Sequence, residues 1–493
     1  MDQTLIGLDA GTTGVTAILF DEDLLPLARA YREFPQHFPQ PGWVEHDGRD
    51  ITDAVDAVLE EILAAPRAGD VAAIGVTNQR ETVFACDRTS GRALARGIVW
   101  QDRRTADRCD ELRAMGLADE VRARTGLVLD PYFSGTKIEW LLREVPGIAD
   151  AAQAGEVVFA TVDAFVVRHL SADGVWSTDP TNASRTMLFD IDTARYDEGL
   201  CARLGIRPQW LPEVLPSAAK RTETDPARAS GRAIAVHAAI GDQQSALCGQ
   251  GCFEAGTFKA TYGTGSFLVL NTGAERVDST AGLLTTLAAD AEGATCYAIE
   301  GSVFLSGALV QWLRDQLGFF ERSAEVEALA RQVDDAGGVV FVPAFAGLGA
   351  PYWDADARGA ILGLTRGTTR AHIARAALEA IAFQNAELIE LLRKETGLGI
   401  EALLADGGAA QNDLLMQLQA DLAGLDVLRP ASVEATARGA ALLAGVSCGL
   451  VGDARSCAGL RQERDRFAPQ TSDEHRAARL SAWRGGVQRV LSR

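Results

Sequence analysis

Residues 4–21 read TLIGLDAGTTGVTAILFD, a buried apolar stretch, a small-residue turn and a second apolar stretch. The β-branched and aliphatic run ending at Asp9 predicts one strand, Ala10 to Gly14 a tight turn, and Val15 onward a second strand. After Glu22 and Asp23 a third extended stretch, LLPLARAYREF, follows. Asp50 to Leu63 then places Ile51, Ala54, Val55, Val58, Leu59 and Ile62 at helical spacing, and AAIGVT (72–77) is a short buried strand. Strands alternating with helices predict an α/β fold.

The same grammar returns about 250 residues later. AIAVHAAIGD ends at Asp242, a small-residue stretch follows, and FKAT, YGTG and SFLVLNTG repeat strand, glycine-rich turn and strand. This repetition predicts two related halves, 1–249 and 250–493, meeting near Gly249 to Gly256. Three helices are expected in the second half, Ala371 to Lys394 after a Thr368/Thr369 cap, Asn412 to Leu422, and the Ala-rich Thr436 to Leu450.

The chain has 493 residues, with 67 Asp+Glu against 47 Lys+Arg for a net charge of −20. Such acidity opposes sequence-independent binding to nucleic acid or anionic membranes, both of which rest on clustered Lys and Arg. Only Lys137, Lys220, Lys259 and Lys394 are lysines, which restricts any lysine-based phosphate chemistry. Eight scattered cysteines form no CxxC or Cys/His ladder, so reduced core thiols are expected; Cys248 and Cys252 lack the second pair that zinc would need. No basic stretch precedes an apolar run at the N-terminus, and no window approaches the ~20 apolar residues of a membrane span. A cytoplasmic setting without membrane insertion is the expectation. The Arg-rich final forty residues read as a solvated helical face.

Several motifs carry chemistry. In DAGTTG (9–14), Gly11 and Gly14 permit close backbone approach, amides and Thr hydroxyls can face an anion, and Asp9 at a strand end can hold a metal through water. Alone, the stretch is equally an ordinary hairpin turn. TYGTGS (261–266) is its counterpart, and DGGA (406–409) offers bare backbone to a nucleotide's base and sugar. TNQRET (77–82) is an unbroken polar run after an apolar strand, either a surface turn or a clamp whose Arg and Glu offer donors and acceptors to neighbouring hydroxyls. Aromatics in IVWQD (98–102) and DPYF (130–133) can cover the carbons of a small polyol or simply fill a core. Asp242 in GDQQ (241–244) is a carboxylate at a strand end, suited to receive a proton from a phosphoryl acceptor or to cap a helix. The chain lacks GxxxxGK[ST], GxGxxG and the VAIK, HRD and DFG set, which excludes the P-loop, dinucleotide and protein-kinase readings. A GxSxG at 445–449 lies at the end of an Ala/Leu helix, where a nucleophile elbow is not built.

Together with PGWVEHD (41–47), TGLVLDPYFSGTK (125–137), TNASRTMLF (181–189), GLLTT (282–286), FVPAFAGLGAPYWD (341–354) and ARGAILGLTRG (357–367), these segments resemble the FGGY carbohydrate kinases of the actin-like ATPase fold. The resemblance runs over nearly the whole chain. It implies two actin-like (ribonuclease H-like) α/β domains flanking a nucleotide and substrate cleft. It further implies ATP- and Mg²⁺-dependent phosphorylation of glycerol to sn-glycerol 3-phosphate, in a homodimer or homotetramer. Arg80, Glu81, Tyr132, Asp242 and Gln243 would bind glycerol hydroxyls, with Trp100 and Phe267 on its carbons and Asp242 as the base. Thr12, Thr13 and Gly14 would hold the phosphates, and Asp9 would anchor Mg²⁺. Thr264, Gly307 and Gln311 would hold the nucleotide, and Gly408, Ala409 and Asp413 its adenosine end. A kinase for another polyol or ketose, or a catalytically weak nucleotide-binding regulator, is the alternative.

This chain departs from the family pattern in three places. The first loop commonly continues as GTTS, one residue and then Arg, whereas Gly14, Val15 and Thr16 stand here. Asp413 occupies a position where Asn is usual. The segment Ala227 to Arg232 lacks the glycine-rich, Lys-containing run that accompanies fructose-1,6-bisphosphate inhibition in some relatives, so that regulation is not implied.

Overall fold

Strand β1 (Thr4–Ala10) pairs antiparallel with β2 (Gly14–Phe20), which pairs antiparallel with β3 (Pro26–Glu33). The Gly11 N–H donates to the Gly14 carbonyl at 3.0 Å and closes the predicted turn. On the other side of β1 lies β4 (Val71–Asn78), parallel to it, then β6 (Ala235–Gly241), parallel to β4, and the short antiparallel β5 (Thr222–Glu223). The order is β5-β6-β4-β1-β2-β3. β2 is buried throughout because helices cover both faces of the sheet, as a near-continuous apolar run requires. On one face, α1 (Gly48–Leu63), started by Asp47 accepting from the Arg49 N–H, buries Ile51, Val55, Val58 and Ile62. The computed structural model describes residues 3–290, 293–345, 347–354, 356–431, 434–455 and 463–492, with backbone alone at 463.

The second half repeats the plan. β7 (Phe258–Tyr262) pairs antiparallel with β8 (Ser266–Gly273) and parallel with β10 (Ala402–Asp406); β11 (Asp426–Pro430) is parallel to β10 and β12 (Glu463–Phe467) antiparallel to β11. With β9 (Cys296–Val303) beside β8, the order β9-β8-β7-β10-β11-β12 matches that of the six-stranded first sheet, and a seventh strand, Leu284–Ala288, extends the second sheet beyond β9. The longest helix, α4 (Arg370–Thr396), begins at a capping box between Thr369 and His372. α5 (Asp413–Ala423) begins at Asn412, whose side chain accepts from the Leu415 N–H.

The described residues divide into two compact units, one drawn from Met1–Phe253, Thr285–Tyr297 and Ala435–Leu460, the other from Glu254–Leu284, Ala298–Glu434 and Arg461–Arg493. A single cut at Gly249 therefore does not separate them. The Ala-rich α6 (Ala435–Cys448) lies on the first sheet, and glycines let the two backbones touch. A Cβ at Gly7 would stand 2.0 Å from the Ala437 carbonyl oxygen, and one at Gly75 2.0 Å from that of Ala440. Ser447 of the GxSxG stretch sits on α6, its hydroxyl 2.9 Å from His237 Nδ1, in a helix and not at a strand-to-helix elbow.

The described cysteines are free, six of them buried; Cys457 lies outside the described residues. No group of three metal-ligating side chains occurs among the described residues. Near the C-terminus, Arg476 pairs with Asp473 and Arg484 with Glu387 on the helix Asp473–Val487, whereas Arg464 and Arg466 lie on strand β12 and not on a helical face, Arg466 pairing with Asp426; Arg461 and Arg493 lie outside the described residues. Among the described residues no helix is long and apolar enough to cross a membrane.

Candidate active site

The parallel strands β1, β4 and β6 end at one edge of the first sheet, since Ala10 pairs with Asn78 and Asn78 with Gly241. Carboxyl ends of parallel strands are where α/β sheets gather ligand-binding loops. Here they bring together the turn Gly11 to Gly14, the run Gln79 to Glu81, and Asp242 with Gln243 at the start of the helix α2 (Asp242–Gly249).

The TNQRET run is neither a surface strand nor an ordinary β-turn. The Thr82 N–H donates to the Arg80 carbonyl at 2.7 Å, and Glu81 between them has φ +62°. A three-residue turn with positive φ at a non-glycine residue stores strain and persists only where its surroundings hold it. Those surroundings are charged. Arg185 Nε lies 2.6 Å from Glu81 Oε1, Arg80 Nε lies 3.8 Å from that same oxygen, and Arg80 Nε lies 3.4 Å from Asp242 Oδ1. The signs alternate along this row. The side chains of Arg185, Arg80 and Glu81 are at most 2% exposed, whereas that of Asp242 is 28% exposed. Asp242 Oδ1 also accepts from the Gln243 N–H at 2.7 Å. The Ser134 hydroxyl donates to the Glu81 carbonyl at 2.9 Å.

Behind this row stands a buried polar network centred on Asp179. The Thr181 hydroxyl donates to Asp179 and accepts from the Gly241 N–H, and the Asn182 amide pairs reciprocally with that of Asn78. These bonds position the ends of β4 and β6 and explain why a polar TNASR segment is wholly buried. Gln79 donates to the Gly11 carbonyl at 3.0 Å and meets His46 Nδ1 at 3.2 Å. Burial, with a smaller contribution from His37, holds His46 down to about 4, so it is neutral at pH 7.

Trp100 and Tyr132 form one wall, edge to face at 5.7 Å and 87°. The indole N–H donates to Thr12 Oγ1 at 3.0 Å, tying that wall to the glycine turn. Tyr132 is held through its backbone, its N–H donating to Asp130 and its carbonyl accepting from Lys137 Nζ at 2.6 Å. Lys137 is fully buried, which lowers its ammonium to about 8 against the opposing pull of Glu81, Asp102 and Asp130.

In the second unit the equivalent turn is closed by the Gly263 N–H donating to Gly265. Its carbonyls then cap α3 (Gly307–Asp315): Gly307 donates to Gly263, and Ser306 and Ala308 both donate to Thr264. Thr264 and Gly307 thus meet at this turn and helix start, with Gln311 one helical turn further along α3. Phe267 faces Thr261 across the β7–β8 hairpin. Gly407, at φ +89°, lets the DGGA turn lie on Tyr262, since a Cβ there would meet its backbone at 2.6 Å. Gly408 and Ala409 follow in one turn of 3₁₀ helix. Asp413, 58% exposed, accepts from the buried Arg429 at 2.6 Å, so the carboxylate at this position is committed within the protein. Arg429 also donates to the Ala410 carbonyl and to Asp465.

Arg185, Asp179 and Arg429 were not singled out from the sequence. The signal for the first two was the polar density of STDPTNASRT (177–186); Arg429, in the strand DVLRP, carries none.

The chain matches the N-terminal domain of the FGGY family of carbohydrate kinases over residues 4–249 and the C-terminal domain over 258–448. It is 52% identical over 496 residues to the glycerol kinase of Methylibium petroleiphilum and 48% identical over 488 residues to that of Carboxydothermus hydrogenoformans, covering 98% or more of every chain compared. The crystal structure of Plasmodium falciparum glycerol kinase with ADP superposes with a TM-score of 0.93 at 33% identity, covering 100% of this chain and 99% of that one. A gluconate kinase from Lactobacillus acidophilus shares the fold at a TM-score of 0.88 and 22% identity, covering 99% of this chain and 97% of that one. By matches across both halves and at full length, the chain belongs to the FGGY family of carbohydrate kinases.

Proposed function

We propose that the protein transfers the γ-phosphoryl group of ATP to a terminal hydroxyl of glycerol, yielding sn-glycerol 3-phosphate and ADP. The observation that carries this is the buried row Arg185–Glu81–Arg80–Asp242, which starts with the Arg185 guanidinium 5.7 Å over the Tyr132 ring of the Trp100–Tyr132 wall and ends in a partly exposed carboxylate. Full-length identity near 50% to glycerol kinases supports it. In this reading Arg80, Glu81 and Gln243 bind the hydroxyls of a three-carbon polyol, while Trp100, Tyr132 and Phe267 cover its carbons. Such a site rejects substrates that leave its buried polar groups unpaired. Asp242 Oδ2 accepts the proton of the attacking hydroxyl.

The amides and hydroxyls of Thr12, Thr13 and Gly14 hold phosphate oxygens. Thr264, Gly307 and Gln311 contact the nucleotide, and Gly408, Ala409 and Asp413 its adenosine end. With Asp413 engaged by Arg429, that end meets chiefly neutral backbone. Mg²⁺ fits the residues present: Asp9 is a partly buried carboxylate at the end of β1, and this ion commonly takes one or two carboxylates plus substrate phosphates. When bound, it would neutralise phosphate charge that a chain with four lysines does not. The free thiols among the described residues suit a reducing, cytoplasmic setting.

Glycerol-dependent ADP release with Mg·ATP tests the activity. Across a panel of glycerol, D-xylulose and D-gluconate, kcat/KM for glycerol is expected to lead by about 100-fold or more. A higher value on the pentulose would overturn the assignment. Arg185→Met tests the charge row. Leaving the buried Glu81 with only the more distant Arg80 opposite it is expected to raise KM for glycerol about 30-fold while KM for ATP changes by less than about threefold. Equal loss of both affinities would mean a general structural defect instead.

A further inference from the structure

Thr77, Asp9, Thr16 and Tyr31 pair successively across β4, β1, β2 and β3, so their side chains share one face of the sheet. Asp9 and the glycine turn place the phosphate end of the proposed site on this face. Thr16 is short and 8% exposed, and brings no charge to it. Gly14, two residues nearer the turn, faces the same way and is buried. The β3 backbone and the Tyr31 ring together cover it. A Cβ at Gly14 would stand 2.5 Å from the Arg32 carbonyl oxygen and 2.7 Å from both the Tyr31 hydroxyl oxygen and its Cε2. The phenol therefore leans along β3 toward the turn and lies across Gly14, where even a serine would collide with it. The end of β3 is anchored to the turn, since the Phe34 N–H donates to the Thr13 carbonyl at 3.2 Å. The Arg29 guanidinium sits over the ring at 5.6 Å. Tyr31 is 38% exposed, and no hydrogen bond from its hydroxyl is found among the described residues.

Resting on the kinase reading above, we propose that Tyr31 is a nucleotide-binding residue whose hydroxyl donates to a phosphate oxygen held at the Gly11 to Gly14 turn. Gly14, Thr16 and Tyr31 then form one set: the two small residues open the space and the phenol fills it, supplying a neutral donor where position 16 offers no cation. A phenol O–H suits this role because it donates without adding charge and its ring loses little rotational freedom on binding.

Tyr31→Phe keeps the ring on Gly14 and removes only the donor. Calorimetry with Mg·ADP and Mg·ATP is expected to show Kd raised about tenfold, the size of one hydrogen bond to a charged group. KM for glycerol should stay within about twofold and Tm should not move, because the hydroxyl makes no hydrogen bond within the fold among the described residues. Nucleotide Kd unchanged from wild type would overturn the proposal. A second arm uses the space itself. Thr16→Arg alone is expected to weaken nucleotide binding, as the phenol blocks the new side chain, whereas Thr16→Arg with Tyr31→Gln should bring Kd back to about the wild-type value. Tighter binding from Thr16→Arg alone would show that Tyr31 does not occupy the place. A wild-type chain that binds Mg·ATP but releases no ADP with glycerol would sink the kinase reading and leave this contact standing. Normal turnover with an unaffected Tyr31→Phe would sink this contact alone.

Discussion

Asp242→Asn is expected to lower kcat on glycerol by about a thousandfold while KM for glycerol stays within about threefold. The substitution is nearly isosteric. An Asn side-chain oxygen still accepts from the Gln243 N–H, now at 2.7 Å, and Arg80 retains Glu81 and Gln244 as partners. What disappears is the proton acceptor: an amide oxygen cannot take a proton from an alcohol at neutral pH, whereas a carboxylate can. The deficit therefore belongs to turnover and not to binding. Single-turnover measurement of glycerol phosphorylation, with glycerol affinity followed separately, decides the point. Near-normal turnover would remove Asp242 from the role of base and leave it a helix-start residue whose pairing with Arg80 is structural.

The second large effect concerns folding. Gly75→Ala is expected to destabilise the first unit by about 3 kcal/mol or more, seen as a lowered urea midpoint or loss of soluble protein. Gly75 lies within β4, and the added carbon would stand 2.0 Å from the Ala440 carbonyl oxygen and 2.4 Å from its carbon. Both are backbone atoms, so no rotamer change relieves the clash and α6 must lift. Lifting it opens the interface of Leu5, Ile18, Ala73, Ala440 and Leu443. Gly485→Ala is the matched control, for a Cβ there meets nothing within 4 Å and gains helix propensity. Equal stability of the two variants would show that α6 is not seated on β4 as described.

These predictions differ in how far the sequence foreshadows them. The TLIGLDAGTTGVTAILFD hairpin was legible because strand, turn and strand are written in consecutive residues, and its echo at FKATYGTGSFLVL revealed the duplication that the matching strand orders bear out. The period of α1, the Thr369 cap and the start of α5 near Asn412 were legible for the same reason: each is a bond or a stripe within a few residues. The place of α6 was not. Its alanines and glycines suit any close backbone contact, and nothing in Ala435 to Cys448 names Gly7 and Gly75, more than 350 residues earlier, as the surface it meets.

The site divides along the same line. By itself the sequence determined which chemistry is present: a glycine turn with hydroxyls and a carboxylate, an Arg–Glu pair, a strand-end Asp and two aromatics, all local words in a chain of strongly acidic balance. Only the tertiary structure decided what those groups do to one another. Arg185 reaches Glu81 across 104 residues, Asn182 pins Asn78 across the same separation, and the Tyr31 phenol takes the space that Gly14 leaves empty. The physical reason is that backbone periodicity and turn chemistry act over a few residues, whereas the partner of a buried charge is chosen by sheet register and packing, which exist only once the chain has folded.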